Sequence, residues 1–313
     1  MMFRQLIAAA FVAATTLPVP AIAAEGDDCA AIGTAQQDER LLEGKRFTVR
    51  VTGKEGGRDV VLIPGLSTPR DVWDDTVEQL AGCYRLHVVQ LAGFGDEARE
   101  NVEGPVIDPF LAQLASYIEH VIIGKDGGKK PMVIGHSFGG LTAMRLALKH
   151  PALIESAMVV DSLPFFGAFY GPAVTAENIE PQAAAIRKMI LSGPAKRPND
   201  GTLQAMSITD AGREKVAAWA LTADPKVMGQ VFYEVMTTDI RPALPGNTVP
   251  ITMLYPIDQN GAFPAAAIEA VYTGSFAKAK NVRLMRIDDS RHFIMLDQPD
   301  EFLGAVKAFL AAE

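Results

Sequence analysis

Apolar and polar positions alternate from Arg46 to Gly53, with Phe47, Val49 and Val51 on one side, which is the period of a half-buried strand. Asp59 to Ile63 reads differently, as a mostly apolar run stopped by Pro64-Gly65, the pattern of a parallel strand buried on both faces. Tyr84 to Leu91, Met132 to Ile134 and Ser156 to Val160 predict further strands, and Trp73 to Leu80, Pro109 to Ile123 and Leu141 to Lys149 predict the helices between them. From Leu163 to Asn247 the alternation stops. That stretch holds helical patterns, the clearest at Glu177 to Leu191 and Ala211 to Leu221, and no buried strand. Strands resume at Ile251 to Tyr255 and Val282 to Ile287, and a last helix is expected from Pro299 to Ala312. Strand–helix alternation with short links predicts an α/β fold, a mostly parallel sheet with helices on both faces, interrupted by one helical insertion.

The first residues do not fit that pattern. Arg4 precedes an apolar stretch, Leu6 to Ala14, too short to span a bilayer, and Ala21-Ile22-Ala23 follows as a small-x-small site. Residues 1–23 are therefore expected to be a signal peptide cleaved near Ala23, with residues 24–45 a polar, irregular arm. Export to the periplasm or beyond follows, and no later stretch is apolar for long enough to anchor the chain in a membrane. An oxidising compartment lets the two cysteines pair. A Cys29–Cys83 disulfide tying the arm to the body is expected, the alternative being an arm thiol and a free Cys83 at a helix end.

Composition adds exclusions. With 313 residues, 49% hydrophobic and 21% charged, the chain can bury a large core. A net charge of −8 and the absence of a basic, aromatic-interleaved cluster argue against nucleic acid as a partner. No CxxC or HExxH is present, so no metal site is signalled. Gly93-Phe94-Gly95-Asp96-Glu97-Ala98 matches a dinucleotide-binding pattern, but no apolar helix starts there and Glu97, Glu100 and Glu103 would repel a pyrophosphate. It is read as a loop over the active-site edge, and no cofactor is expected.

The chemistry centres on Gly135-His136-Ser137-Phe138-Gly139-Gly140, which links a strand to a helix. A serine on such a turn is presented at the strand tip, close to backbone N–H groups. It needs a base, and the base needs an acid. Among five histidines, His292 lies in a loop off the C-terminal end of Val282 to Ile287, the edge where open α/β sheets place their sites. His87 sits inside a strand, His120 and His150 late in helices, and His136 points away from its neighbour Ser137. Two carboxylates follow strands at the same edge. Asp258 gives the order Ser–Asp–His and is the expected acid; Asp161 is the alternative. The oxyanion donors are expected to be the N–H groups of Phe138 and Leu66.

These stretches resemble the α/β-hydrolase fold superfamily: Val60-Val61-Leu62-Ile63-Pro64-Gly65, Leu91-Ala92-Gly93-Phe94-Gly95, the serine turn, Val249-Pro250 to Asp258, and Arg291-His292-Phe293 to Pro299. The resemblance runs from Phe47 to the C-terminus. It is strongest to the serine branch with a helical cap between strands six and seven. It implies a core of residues 46–162 and 248–313, a cap of residues 163–247, and the roles nucleophile for Ser137, acid for Asp258, base for His292 and oxyanion donors for Leu66 and Phe138. Two departures stand out. Pro64 replaces the usual histidine before Gly65, and Tyr255-Pro256-Ile257-Asp258 replaces a Gly-x-x-Asp turn. The serine sets the chain apart from haloalkane dehalogenases and epoxide hydrolases, which use aspartate.

The expected substrate is a small molecule, an ester of small to medium apolar groups, cleaved through an acyl-serine. Ser67, Phe165, Phe166, Phe169, Phe232 and Met236 are the expected pocket residues. An aminopeptidase or amidase, an acyltransferase or a lyase would use the same triad, and a peptidase would need a carboxylate such as Glu177, Glu180 or Glu234 to hold an amine. A non-catalytic binding protein on this fold would usually have lost a triad member.

Overall fold

The computed structural model describes residue 29, residues 40–124 and residues 128–312. The expected signal peptide, its cleavage site and most of the arm lie outside the described residues.

Among the described residues the strands form one eight-stranded sheet in the order β1-β2-β4-β3-β5-β6-β7-β8. They are β1 (Arg40–Glu43), β2 (Phe47–Gly53), β3 (Arg58–Ile63), β4 (Tyr84–Leu91), β5 (Met132–His136), β6 (Ala157–Val160), β7 (Ile251–Ile257) and β8 (Val282–Asp288). β1 and β2 pair antiparallel, as do β2 and β4; every other pair is parallel. The central strands β5 and β6 are buried along their whole length, as their unbroken apolar runs require when both faces are covered.

β1 corrects the expectation of an irregular arm. All four of its side chains are exposed, so no apolar stripe announces it. It exists because β2 would otherwise present unpaired backbone groups, which Arg40 to Glu43 take up opposite Thr48 to Val51. Cys29 and Cys83 form a disulfide, and the N–H of Gly82 donates to the Cys29 carbonyl at 2.9 Å, so the chain ahead of β1 is tied to the start of β4.

The helices are α1 (Asp74–Leu80), α2 (Ile107–Tyr117), α3 (Phe138–Lys149), α4 (Ala176–Leu191), α5 (Asp200–Met206), α6 (Asp210–Thr222), α7 (Pro225–Thr237), α8 (Ala265–Phe276), α9 (Ile294–Asp297) and α10 (Pro299–Ala311). One face of the sheet is covered by α2, α3 and α8 through Phe110, Leu114, Met144, Tyr272 and Phe276. The other is covered by α1, the turn before it and α10 through Trp73, Leu80, Phe302, Val306 and Phe309.

The insertion between β6 and β7 carries α4 to α7. It docks on both core layers, α7 by Val227 and Val231 on one side, α5 and α6 by Leu203, Val216 and Ala217 on the other. Polar contacts fasten it as well. Asp224 N–H donates to the Gly93 carbonyl at 2.7 Å, and the Glu234 carboxylate accepts from the N–H groups of Val106 and Ile107 at 2.8 Å each, capping α2. The Gly93–Gly95 loop thus serves as a seat for the insertion. No helix among the described residues is long and apolar enough to cross a membrane.

Candidate active site

The serine turn is built by close backbone packing. Ser137 follows β5 and precedes α3 with φ 53° and ψ −118°, a strained conformation for a residue with a Cβ, costing on the order of 1–3 kcal/mol. Its N–H donates to the Val160 carbonyl on β6 at 2.9 Å. A Cβ on Gly139 would stand 2.2 Å from the Ile63 carbonyl oxygen and 2.7 Å from that of Pro64, so only glycine lets α3 start this close to the end of β3. That approach brings the loop after β3 to the serine. A Cβ on Gly65 would lie 3.2 Å from Ser137 Cβ and 2.9 Å from His136 Nδ1.

Leu66 follows directly, half-buried, and its carbonyl accepts from Thr68 Oγ1 at 2.9 Å. Phe138 is the first residue of α3. Its N–H has no acceptor within the helix and lies at the positive end of the helix dipole. Both expected oxyanion donors therefore belong to segments packed around Ser137. Ser67, in the same loop, takes φ 53° and its hydroxyl is buried without a hydrogen-bond partner.

His292 reaches this turn from the loop after β8. Its ring centroid is 4.6 Å from that of His136, and its carbonyl accepts from His136 Nε2 at 2.9 Å. His136 is buried, and burial pushes its pKa well below 6.5, with His292 adding to the effect. It is a neutral, Nε2-protonated ring packed against that of His292.

The carboxylate bonded to the imidazole is not the expected one. His292 Nδ1 bonds Asp161 Oδ2 at 2.6 Å, whereas the Asp258 carboxylate is taken by Arg291, with Nε and Nη2 at 2.8 and 2.7 Å from Oδ2. The structure thus pairs the imidazole with the carboxylate after β6, not the one after β7. A guanidinium one residue before His292 supplies the competing partner, and its paired donors favour Asp258. With Nδ1 bonded to a carboxylate, Nε2 is the ring nitrogen left for proton exchange.

The residues flanking His292 are held by the insertion. Arg291 Nη1 donates to the Gln204 carbonyl, and Phe293 N–H donates to that of Met206 at 2.9 Å. Asp297 completes the fastening, accepting from Arg291 N–H at 2.9 Å, Ser207 Oγ at 2.6 Å and Ile208 N–H at 3.0 Å. Arg291, Asp297 and Tyr272, which bonds Asp161, were not singled out from sequence; only the position of Arg291 beside His292 was a signal.

The expected pocket residues separate into two groups. Phe165 and Met236 are fully buried in a cluster internal to the insertion, with Ile179 and Ala183. They expose no surface to a ligand, which corrects the expectation that they line a pocket. Helices α4 and α7 pack on each other and need a core of their own, and these two side chains supply part of it. Phe166 and Phe232 pack on that cluster with surface remaining, and Phe166 contacts Phe169, Tyr170 and Phe232 at centroid distances of 5.7, 6.3 and 6.4 Å. Of the carboxylates weighed for an amine, Glu234 caps α2, Glu180 accepts from the Tyr233 hydroxyl at 3.1 Å, and Glu177 is solvent-exposed in the first turn of α4.

Residues 60–305 match the alpha/beta hydrolase family. A pimeloyl-[acyl-carrier protein] methyl ester esterase of Vibrio parahaemolyticus is 27% identical over 267 residues, covering 81% of this chain and 94% of the esterase. Among solved structures, a hydrolase of Pseudomonas aeruginosa superposes with a TM-score of 0.67 at 18% identity, covering 88% of this chain and 99% of its own. An enol-lactonase of Burkholderia xenovorans superposes with a TM-score of 0.65 at 19% identity, covering 87% and 99%.

Proposed function

Since the chain belongs to the α/β hydrolase family, we propose that it is an exported serine esterase acting on carboxylic esters with small to medium apolar groups. The observation that carries this reading is the bond of His292 Nδ1 to Asp161 Oδ2 at 2.6 Å, on a ring packed against the residue before Ser137.

Ser137 Oγ attacks the ester carbonyl while His292 Nε2 takes its proton. Asp161 stabilises the imidazolium that forms. The carbonyl oxygen becomes an oxyanion, met by the N–H groups of Leu66 and Phe138. Collapse of the tetrahedral intermediate breaks the bond to the leaving alkoxide, which receives the proton from His292. Water, deprotonated by the same nitrogen, then attacks the acyl-serine, releases the acid and restores Ser137.

Ester chemistry is supported by the methyl ester esterase relatives. The apolar substrate is supported by the aromatic group Phe166, Phe169, Tyr170 and Phe232 on the insertion. Export is supported by the order of charged, apolar and small residues over positions 1–23 and by the cysteine pair.

Turnover of p-nitrophenyl esters and labelling by a fluorophosphonate probe test the reading together. Ser137→Ala should abolish labelling and lower kcat by roughly 10⁴–10⁶-fold. Near-normal turnover by that variant would refute it.

A further inference from the structure

Asp161 has two carboxylate oxygens, and both are engaged. Oδ2 takes His292 Nδ1 at 2.6 Å, and Oδ1 accepts from the hydroxyl of Tyr272. The main chain of Asp161 is held separately, at φ 44°, with its N–H on the Leu254 carbonyl at 2.9 Å. Tyr272 comes from α8, the helix that follows β7, and is fully buried. Its ring stacks on Tyr255 with centroids 5.0 Å apart and planes 26° off parallel, and stands edge-on to Phe169 at 6.0 Å.

We propose that Tyr272 is a positioning residue for the triad, its hydroxyl fixing the orientation of Asp161 and setting how strongly that carboxylate supports His292. The inference rests on the Ser137–His292–Asp161 reading above. A buried carboxylate with one donor would leave an oxygen uncompensated in apolar surroundings. A second donor satisfies that oxygen and locks the side-chain torsion. It also draws charge from the carboxylate, so the imidazolium beside it is less stabilised than it would be next to a bare anion.

The neighbouring groups are neutral or paired elsewhere. His136, from β5, is kept neutral by burial. Asp258, after β7, is bonded to Arg291. The Tyr255 hydroxyl is bonded to Glu269 at 3.2 Å and does not compete for Asp161. The phenol of Tyr272 is itself held protonated, since burial and Asp161 push its pKa well above 10.0. It is therefore a permanent donor across the working pH range.

Tyr272→Phe keeps the ring stack and removes only the donor. The ring C–H resonances of His292, titrated by NMR in wild type and variant, should show its pKa rising in the variant, and this readout needs no turnover. In p-nitrophenyl butyrate hydrolysis kcat should fall roughly 10-fold, the loss of one hydrogen bond to a charged group, with KM unchanged and the acid limb of the pH profile moved to higher pH. Tyr255→Phe should leave profile and titration as in wild type. Site-specific 3-fluorotyrosine at position 272, a more acidic phenol in an otherwise unaltered fold, should move His292 the opposite way, to lower pKa.

Titrations of His292 that superimpose in wild type, Tyr272→Phe and the fluorotyrosine protein would overturn the inference. A wild-type enzyme that neither labels with fluorophosphonate nor cleaves esters would instead overturn the triad reading, whatever the titrations show.

Discussion

Asp161 Oδ2 lies 2.6 Å from His292 Nδ1, while Asp258, one strand further along the sheet, is bonded to Arg291. Two carboxylates thus stand at the same edge and have different partners. Asp161→Asn should cost kcat about 10⁴-fold, because the amide cannot hold the imidazole in the right tautomer. Asp258→Asn weakens the bonds to Arg291 and to the Asn260 N–H, neither of them to His292, and should change kcat by less than about 10-fold. Steady-state ester hydrolysis by the two variants decides between them; the reverse ranking would return the acid role to Asp258.

Asp297 joins the His292 loop to the insertion through three hydrogen bonds. Asp297→Ala leaves two backbone donors without their acceptor and the buried Ser207 hydroxyl with only the longer contacts to Thr209, at 3.3 and 3.5 Å. The expected cost is about 1–3 kcal/mol per donor that finds no water. A lower urea midpoint accompanied by slower fluorophosphonate labelling would show that the fastening also places His292. Unchanged labelling would confine Asp297 to stability.

Glu234 does comparable work on the opposite side of the insertion. Its carboxylate meets the N–H groups of Val106 and Ile107, both buried, at the N-terminus of α2. Glu234→Ala should destabilise by about 1–3 kcal/mol, from unpaired donors and the loss of an anion at a helix N-terminus. Chemical denaturation gives the number.

Burial holds the folded-state pKa of His136 well below 6.5. The unfolded chain gains that proton near 6.5; the folded chain does not. Stability should therefore fall as pH drops from 6.5 toward the lowered folded value, by up to about 1.4 kcal/mol per pH unit from this one group. Below the folded value the loss levels off. Urea midpoints between pH 7.5 and 5 read the slope, and His136→Gln should flatten it.

The disulfide closes a loop of sequence separation 54. In the chain-entropy description its reduction should cost on the order of 4 kcal/mol. Thermal unfolding with and without a strong reductant measures this; identical midpoints would mean that the unfolded chain gains nothing from the released loop.

Much of this protein could be read along the chain because its signals are local. The runs at β3, β5 and β6 are apolar without interruption, since a central parallel strand is covered on both faces. The glycines at 135 and 139 follow from how closely a strand and helix must approach around the serine. His292 stood out by its place after a strand. These are consequences of periodicity and sterics within a few residues, and they determine the fold class, the serine turn and the histidine loop.

What tertiary structure decided is which distant groups meet. β1 carries no buried face of its own and forms because β2 has a free edge. Phe165 and Met236 look like pocket residues until the packing of α4 on α7 seals them into the insertion. The hydrophobic pattern names no element between Tyr255 and Val282, yet α8 lies there and delivers Tyr272 to Asp161. Which carboxylate meets His292 rests on those contacts. Asp161 and Asp258 both follow strands and carry the same charge, so nothing local separates them. They are separated by Arg291, which neutralises one, and by Tyr272 and His292, which share the other.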